Sequence, residues 1–370
     1  YTRRTQLIKF MGTTREVTHP ATLVHPAHGD IIALENQNGI LWLLERVENA
    51  LFNGDSSLAF DGEAEQWDGL DALIDPTSFI DLQGQPIQEA DLEEAANLVV
   101  ENFGYPTDIF LGTRVMSDLV KTFYPRERIQ LPAPMNGQVG MAVNTIATQA
   151  GVLEFNPDVF LRRLANPPAA ATSANAPATP ASIAGAIGVL TTANFNKGAP
   201  AGANRYFYRV TALNRFGETA SVVSAAVDIT QAQKDAGNQV ALTITNPGVI
   251  GAFPPEYYHV YRTAPLAAAA AAPAALADFG LILRVAATSQ AGGGTAIPND
   301  LNLLLPGTEI AYMGELTPQV LTFRQLAPLM RLDLAVLAPA YRWMILLYGT
   351  PILFTPRKWV RMINVGRLNR

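Results

Sequence analysis

Four histidines and a dense run of carboxylates are the side chains in this sequence with the chemistry to bind or catalyse. His25-x-x-His28, with Asp30 two residues on, has the one-turn spacing that brings two imidazoles and a carboxylate to one metal ion. Pro26 lies between them and breaks the helix that such a spacing needs, so ordinary exposed histidines are the better reading. Asp55, Asp61, Glu63, Glu65, Asp68 and Asp71 offer the hard oxygen donors of a calcium site. The alternating D-x-D-x-D-G register of a calcium loop is missing. A glycosidase pair could be drawn from the same six, but no aromatic-lined cleft is evident beside them. The Gly292-Gly293-Gly294 run lacks the Lys and Ser/Thr of a phosphate loop, and no nucleophile elbow occurs. The sequence therefore predicts no catalytic residue, no metal and no cofactor. The acidic run reads as a solvated loop, or as one that meets basic side chains of a neighbouring subunit.

Charge is unevenly placed. Residues 47–113 hold 15 of the 32 acidic side chains and no Lys or Arg. The last twenty residues carry Arg357, Lys358, Arg361, Arg367 and Arg370 and no acid. The net charge of -6 argues against a dedicated nucleic-acid binder, which shows a basic face. Only 16% of residues are charged against 49% hydrophobic, as expected where much surface is buried against other chains. There are no cysteines, which excludes disulfides and thiolate metal sites. No apolar run reaches membrane-span length; 265–276 is mostly alanine. The 370 residues suggest two or three domains. The first residue is Tyr, not Met, and Tyr1 is expected not to be the start of translation.

Residues 1–28 read as extended. Asp30 is placed to cap a helix with apolar positions at Leu34, Leu41, Leu44, Val47 and Leu51. Gly39 weakens its middle, and Gly54 is read as a left-handed stop. A second helix is predicted over 89–103, with Leu92, Ala95, Ala96, Val99 and Phe103 inward and an acidic first turn that suits the helix dipole. A short strand over 108–111 leads to a third helix over 113–123, with Met116, Leu119, Val120 and Phe123 inward. Residues 166–182, rich in Pro, Ala, Ser and Thr, form a linker.

The texture then changes. Tyr206, Tyr208, Val210 and Ala212 alternate with Arg205, Phe207, Arg209 and Thr211, and Asn214-Arg215-Phe216-Gly217 reads as a hairpin turn. Further short strands are predicted over 220–229, 240–245, 257–262 and 281–288, the signature of a β-sandwich. The run from Tyr208 to Gly217 resembles a fibronectin type III strand and hairpin. The strand containing His259-Val260-Tyr261-Arg262 follows that hairpin instead of preceding it, so the domain is read as immunoglobulin-like with its topology open. From 310 the first texture returns. Residues 325–332 and 343–348 read as core, and 358–365 as a strand with Trp359, Arg361, Ile363 and Val365 on one side.

Two distant segments carry a resemblance. Phe52-Asn53-Gly54-Asp55-Ser56-Ser57-Leu58 with Trp67-Asp68-Gly69-Leu70, and Gly314-Glu315-Leu316-Thr317-Pro318-Gln319-Val320 with Tyr348-Gly349 and Pro356-Arg357-Lys358-Trp359, resemble the major capsid proteins of large contractile-tailed bacteriophages of bacilli and staphylococci. One departure is Gln88, near where that family places Thr or Ser to cap the second helix. The resemblance implies an α+β, Hong Kong 97-like capsid fold with axial and peripheral domains, an extended loop and an inserted all-β, immunoglobulin-like sandwich. It divides the chain into part of the extended loop (1–28), the first part of the core (29–165), the insertion (166–305) and the second part of the core (306–370).

It further implies a structural subunit with no enzymatic activity, which self-assembles through pentamers and hexamers into an icosahedral head around double-stranded DNA. Implied partners are other copies of itself, scaffolding protein, prohead protease, portal and cement proteins, with packaged DNA held without sequence specificity and no membrane. Implied localisation is the virion, assembled in host cytoplasm. Two other readings stay open: the shell of a nanocompartment, and a secreted or tail-associated adhesin with a fibronectin-like module. The charge asymmetry predicts intersubunit contacts between Arg3, Arg4 or Lys9 and the carboxylates Asp55, Asp61, Glu63, Asp68, Glu89 and Glu93. Replacing 167–305 by a short linker is expected to leave assembly intact.

Overall fold

The computed structural model describes residues 6–24, 29–60, 63–64, 66–123, 145–161, 166–189, 191–287, 293–335 and 338–368. It divides into two compact units, one of residues 1–56, 65–75 and 316–357 and the other of 57–64, 76–315 and 358–370. Each joins early and late parts of the sequence.

The first unit is a three-stranded antiparallel sheet with a long helix on one face. The sheet runs Lys9–Thr18, Ala340–Leu353, Leu321–Asp333. The helix, Ile31–Asn53, starts where predicted: Asp30 Oδ1 accepts from the Ile32 N–H at 2.9 Å. Its buried face is Gly39, Leu43 and Val47, set against Val17, Trp343, Ile345 and Leu347. Of the predicted stripe Val47 lies on this face, whereas Leu34, Leu41 and Leu44 are exposed. Gly39 explains the difference: a Cβ there would lie 2.6 Å from Ile345 Cδ1, so the helix presses its glycine onto the sheet. Gly54 is not a left-handed stop, since its φ is -61°. It is small because a Cβ would meet Trp67 O at 2.5 Å and Ala50 O at 2.6 Å. Two further expectations change. The first strand ends at Thr18, and His19–Leu23 forms a turn of helix with Pro20 in its first turn. Residues 325–332 are not core: Leu321–Asp333 is an exposed edge strand, with Leu326 71% exposed.

The second unit contains a six-stranded sheet in the order Phe79–Asp81, Trp359–Val365, Glu309–Gly314, Asp108–Gly112, Gly151–Asp158, Thr145–Thr148. Helices Glu89–Glu101 and Thr113–Phe123 pack on it, burying Leu92, Ala95, Ala96, Val99, Val115 and Leu119. Trp359–Val365 lies inside the sheet, so Trp359, Val360, Met362, Ile363 and Val365 are all buried and the one-sided alternation fails. Phe103 is not in the core. It is 93% exposed and left-handed (φ 59°), at the end of a Schellman turn in which Gly104 N–H donates to Val99 O and Phe103 N–H to Val100 O, both at 2.9 Å.

The same unit holds an all-β segment. One sheet joins Gly217–Glu218, Tyr208–Asn214, Tyr257–Thr263 and Phe279–Ala286, with Val222–Val223 also paired to Tyr208–Asn214. A second centres on Gln239–Thr245, paired with Ser182–Gly188, Thr295–Ala296 and Asn299–Asp300. A small third sheet joins Val227–Ile229, Asn204–Tyr206 and Leu266–Ala267. Tyr206, Tyr208, Val210, Val240, Leu242 and Val260 share one buried core. The predicted hairpin forms, with Asn214 opposite Gly217 and Asn214 Oδ1 accepting from the Phe216 and Gly217 N–H groups. Phe207 and Thr211, at the alternate positions, are buried as well, and Phe207 joins a second apolar cluster with Tyr261 and Phe279. The chain is thus a mixed α/β protein of several sheets.

Candidate assembly surface

The carboxylates singled out from the sequence are positioned by the ends of helices and by turns. In the first unit, Asp68 Oδ1 accepts from the Ser56 N–H at 2.9 Å, which closes the loop after the long helix. Trp67 seals it from beneath, its Nε1–H donating to Ala50 O at 3.0 Å and its ring edge-on to Phe323. Asp55 sits half-buried in the same loop. Arg3, Arg4 and Asp61 lie outside the described residues, as do His25 and His28, and Glu63 is described only as part of the strand Glu63–Ala64. Lys9 opens the edge strand Lys9–Thr18.

In the second unit, Gln88 stands at the start of the helix Glu89–Glu101, and its N–H donates to Asp91 Oδ2 at 2.7 Å. Glu89 is exposed there, while Glu93 borders a small cleft with Asn97, Thr148 and Gln149. Neither forms an ion pair with any described residue. Among the described residues no cluster of His, Asp and Glu is arranged to hold a metal ion.

Some of the acidic surplus is met within the same unit. Arg357 reaches Asp75 at 3.1 Å in the first unit, and Arg15 pairs with Glu35 at 3.3 Å. In the second, Lys358 pairs with Glu315 at 2.8 Å and Arg367 with Asp118 at 2.5 Å. The basic tail was visible in the sequence as a source of such partners. Lys197 was not: its ammonium lies 2.8 Å from Asp81 Oδ2, and its side chain is only 4% exposed.

Two polar groups in the all-β segment, one buried and one half-buried, were also missed. Arg262, 1% exposed, donates to Asp300 Oδ2 at 2.6 Å and to Asn302 Oδ1, and its guanidinium lies against the rings of Phe195 and Tyr206. Burial pushes the neighbouring Tyr206 hydroxyl up to about 12, although Arg262 works against it. Glu218 Oε1 accepts from Thr211 Oγ1 at 2.6 Å and Tyr261 O–H at 2.7 Å, with His259 Nδ1 at 3.5 Å. Burial pushes the Glu218 carboxyl up, but these partners together hold it below its usual range. The His259-x-Tyr261 spacing on a strand puts both rings on one face, and was the available signal.

These arrangements cap, pair and pack; they assemble no nucleophile with a base. The chain matches the SU10 major capsid protein family over residues 2–174. It is 27% identical over 369 residues to the major capsid protein of Staphylococcus phage K, covering 98% of this chain and 75% of that protein. It matches the major capsid protein of Staphylococcus phage S25-3 to the same extent. The chain resembles phage major capsid proteins over nearly its whole length. A solved encapsulin, from the holo-SrpI complex of Synechococcus elongatus PCC 7942, aligns with 98% of this capsid protein and 76% of its own chain at 9% identity and a TM-score of 0.39. The capsid relatives span both resembling segments and the β-rich stretch between them, which disfavours the nanocompartment and adhesin readings. As a capsid protein the chain is a structural subunit of the virion that associates with copies of itself. No helix among the described residues is long and apolar enough to cross a membrane.

Proposed function

We propose that this capsid protein builds an icosahedral head of the Hong Kong 97-like fold, in which pentamers and hexamers enclose double-stranded DNA. The observation that carries the reading is the match to phage major capsid proteins over 98% of the chain. The first unit, a long helix on a three-stranded sheet, is the peripheral domain, and the six-stranded sheet with its two helices is the axial domain. Residues 1–28 belong to the extended loop, 29–165 and 306–370 to the core, and 166–305 to an immunoglobulin-like insertion. Three sheets around one apolar core support that last assignment.

Function here is association without a chemical step: cyclic contacts close into rings, and rings into a shell. Assembly takes place in the host cytoplasm on scaffolding protein, with a prohead protease, a portal and cement proteins as further partners. A net charge of -6 suits a wall that must not grip packed phosphates.

Subunits are held in register by charge. Arg3, Arg4 and Lys9 of one copy meet carboxylates of the next, drawn from Asp55, Asp61, Glu63, Asp68, Glu89 and Glu93. The lack of any ion pair to Glu89 or Glu93 among the described residues supports this reading. Exposed pairs contribute only about 0.2–1 kcal/mol each, so they set register more than total stability. The double substitution Arg3→Glu, Arg4→Glu tests it by the yield of intact shells. A fall in yield that is restored by compensating Glu→Arg changes at 89 and 93 is expected; an unchanged yield contradicts it.

A further inference from the structure

The all-β segment meets the six-stranded sheet through buried polar groups. Asp81 ends the strand Phe79–Asp81. Its Oδ2 takes the Lys197 ammonium at 2.8 Å, and its Oδ1 accepts from Asn364 Nδ2 at 2.7 Å. Lys197 also donates to Leu303 O at 2.7 Å, and Asn364 Nδ2 donates to the same carbonyl at 2.9 Å. Asn364 Oδ1 accepts from the Leu305 N–H at 2.7 Å. Asn364 is fully buried and left-handed (φ 57°), a conformation that Asn and Gly tolerate and most residues do not.

The network continues inward. Asn302 Nδ2 donates to Lys197 O at 3.1 Å, Asn302 Oδ1 accepts from Arg262, and Arg262 pairs with Asp300, which accepts from Tyr208 O–H at 3.0 Å. An unbroken polar chain therefore runs from the capsid core sheet to the centre of the all-β segment. Each link is buried or half-buried, where an unpaired charge or amide is costly.

We propose that Asp81, Lys197, Leu303 O and Asn364 form a latch that makes the all-β segment and the six-stranded sheet fold and melt as one body. The segment is then a structural leg of the core. Contrary to the sequence expectation, excising 167–305 removes Lys197 and Leu303, leaves Asp81 and Asn364 without these partners and unsettles the core. The latch stands on contacts within one chain, independently of whether shells form.

Two variants of the full chain test it by hydrogen exchange and thermal melting. Lys197→Met removes the ammonium and keeps the stem. Asn364→Gly keeps the left-handed backbone, orphans no charge and removes only the side-chain bonds. Both should raise exchange at residues 79–87 and 303–308 by about tenfold or more, while residues 208–212 stay protected. Both should also split one melting transition into two. If Lys197→Met does not fold, Asn364→Gly alone decides. Unchanged exchange at 79–87 with a single wild-type-like transition in Asn364→Gly overturns the proposal.

Discussion

Arg357 Nε donates to Asp75 Oδ2 across 3.1 Å, so the basic C-terminal run meets the acidic stretch inside one unit. The arginine side chain is 67% exposed, which leaves the pair screened by solvent. Arg357→Ala should therefore cost no more than about 1 kcal/mol. The loss, read by denaturant melts, should vanish near 1 M salt, where screening acts within ~3 Å. A larger loss that salt does not change would show that the arginine acts through packing.

Asp118 holds the chain's last described turn. Burial pushes its carboxyl up, but the bond from Arg367, the Leu368 N–H and Lys121 together bring it below the usual carboxylate value of 3.8. A folded-state value below the unfolded one gives stability that is present above about pH 4 and lost as pH falls through the folded value. Asp118→Asn should cost roughly 1.5–3 kcal/mol at pH 7, as expected for hydrogen bonds to a charged group. It should also flatten the acid limb of the stability curve. An acid limb identical to that of the wild type would refute the assignment.

His259 titrates in the opposite sense from a surface histidine near a carboxylate. Burial pushes it below 6.5 and outweighs the pull of Glu218, while Arg284 adds to the depression. The all-β segment is therefore stabilised above about pH 6.5, and that contribution is lost as pH falls below it. His259→Gln should remove this dependence between pH 7 and 5, followed by exchange of amides in Tyr257–Thr263. A dependence that survives the substitution would place its source elsewhere.

Phe103 combines an exposed ring with a left-handed backbone, a conformation in which glycine is more stable by about 1 kcal/mol. Phe103→Gly should raise the stability of the unassembled subunit by that amount. If the ring is covered by a neighbouring copy, shell yield falls at the same time. A drop in subunit stability would mean that the ring packs within its own chain.

The sequence was most legible where one strong local signal agreed with tertiary packing. Asp30 capped its helix, the helix after Gln88 buried Leu92, Ala95, Ala96 and Val99, and Asn214 turned its hairpin. It misled where packing chose among apolar faces. Leu34, Leu41 and Leu44 have helical spacing, but contact with Ile345 favours the face that carries Gly39. Trp359–Val365 looked one-sided because alternation does not reveal that a strand lies inside a sheet. The latch was invisible because Asp81, Lys197 and Asn364 are far apart in sequence and carry no local pattern.

Sedimentation of the native particle, with electron microscopy of the same sample, decides whether this chain builds a closed head. Closed shells of uniform diameter, built from many copies of this chain and containing double-stranded DNA, are expected. Recovery of the chain only as a monomer or small oligomer, with no closed particle, would contradict that expectation.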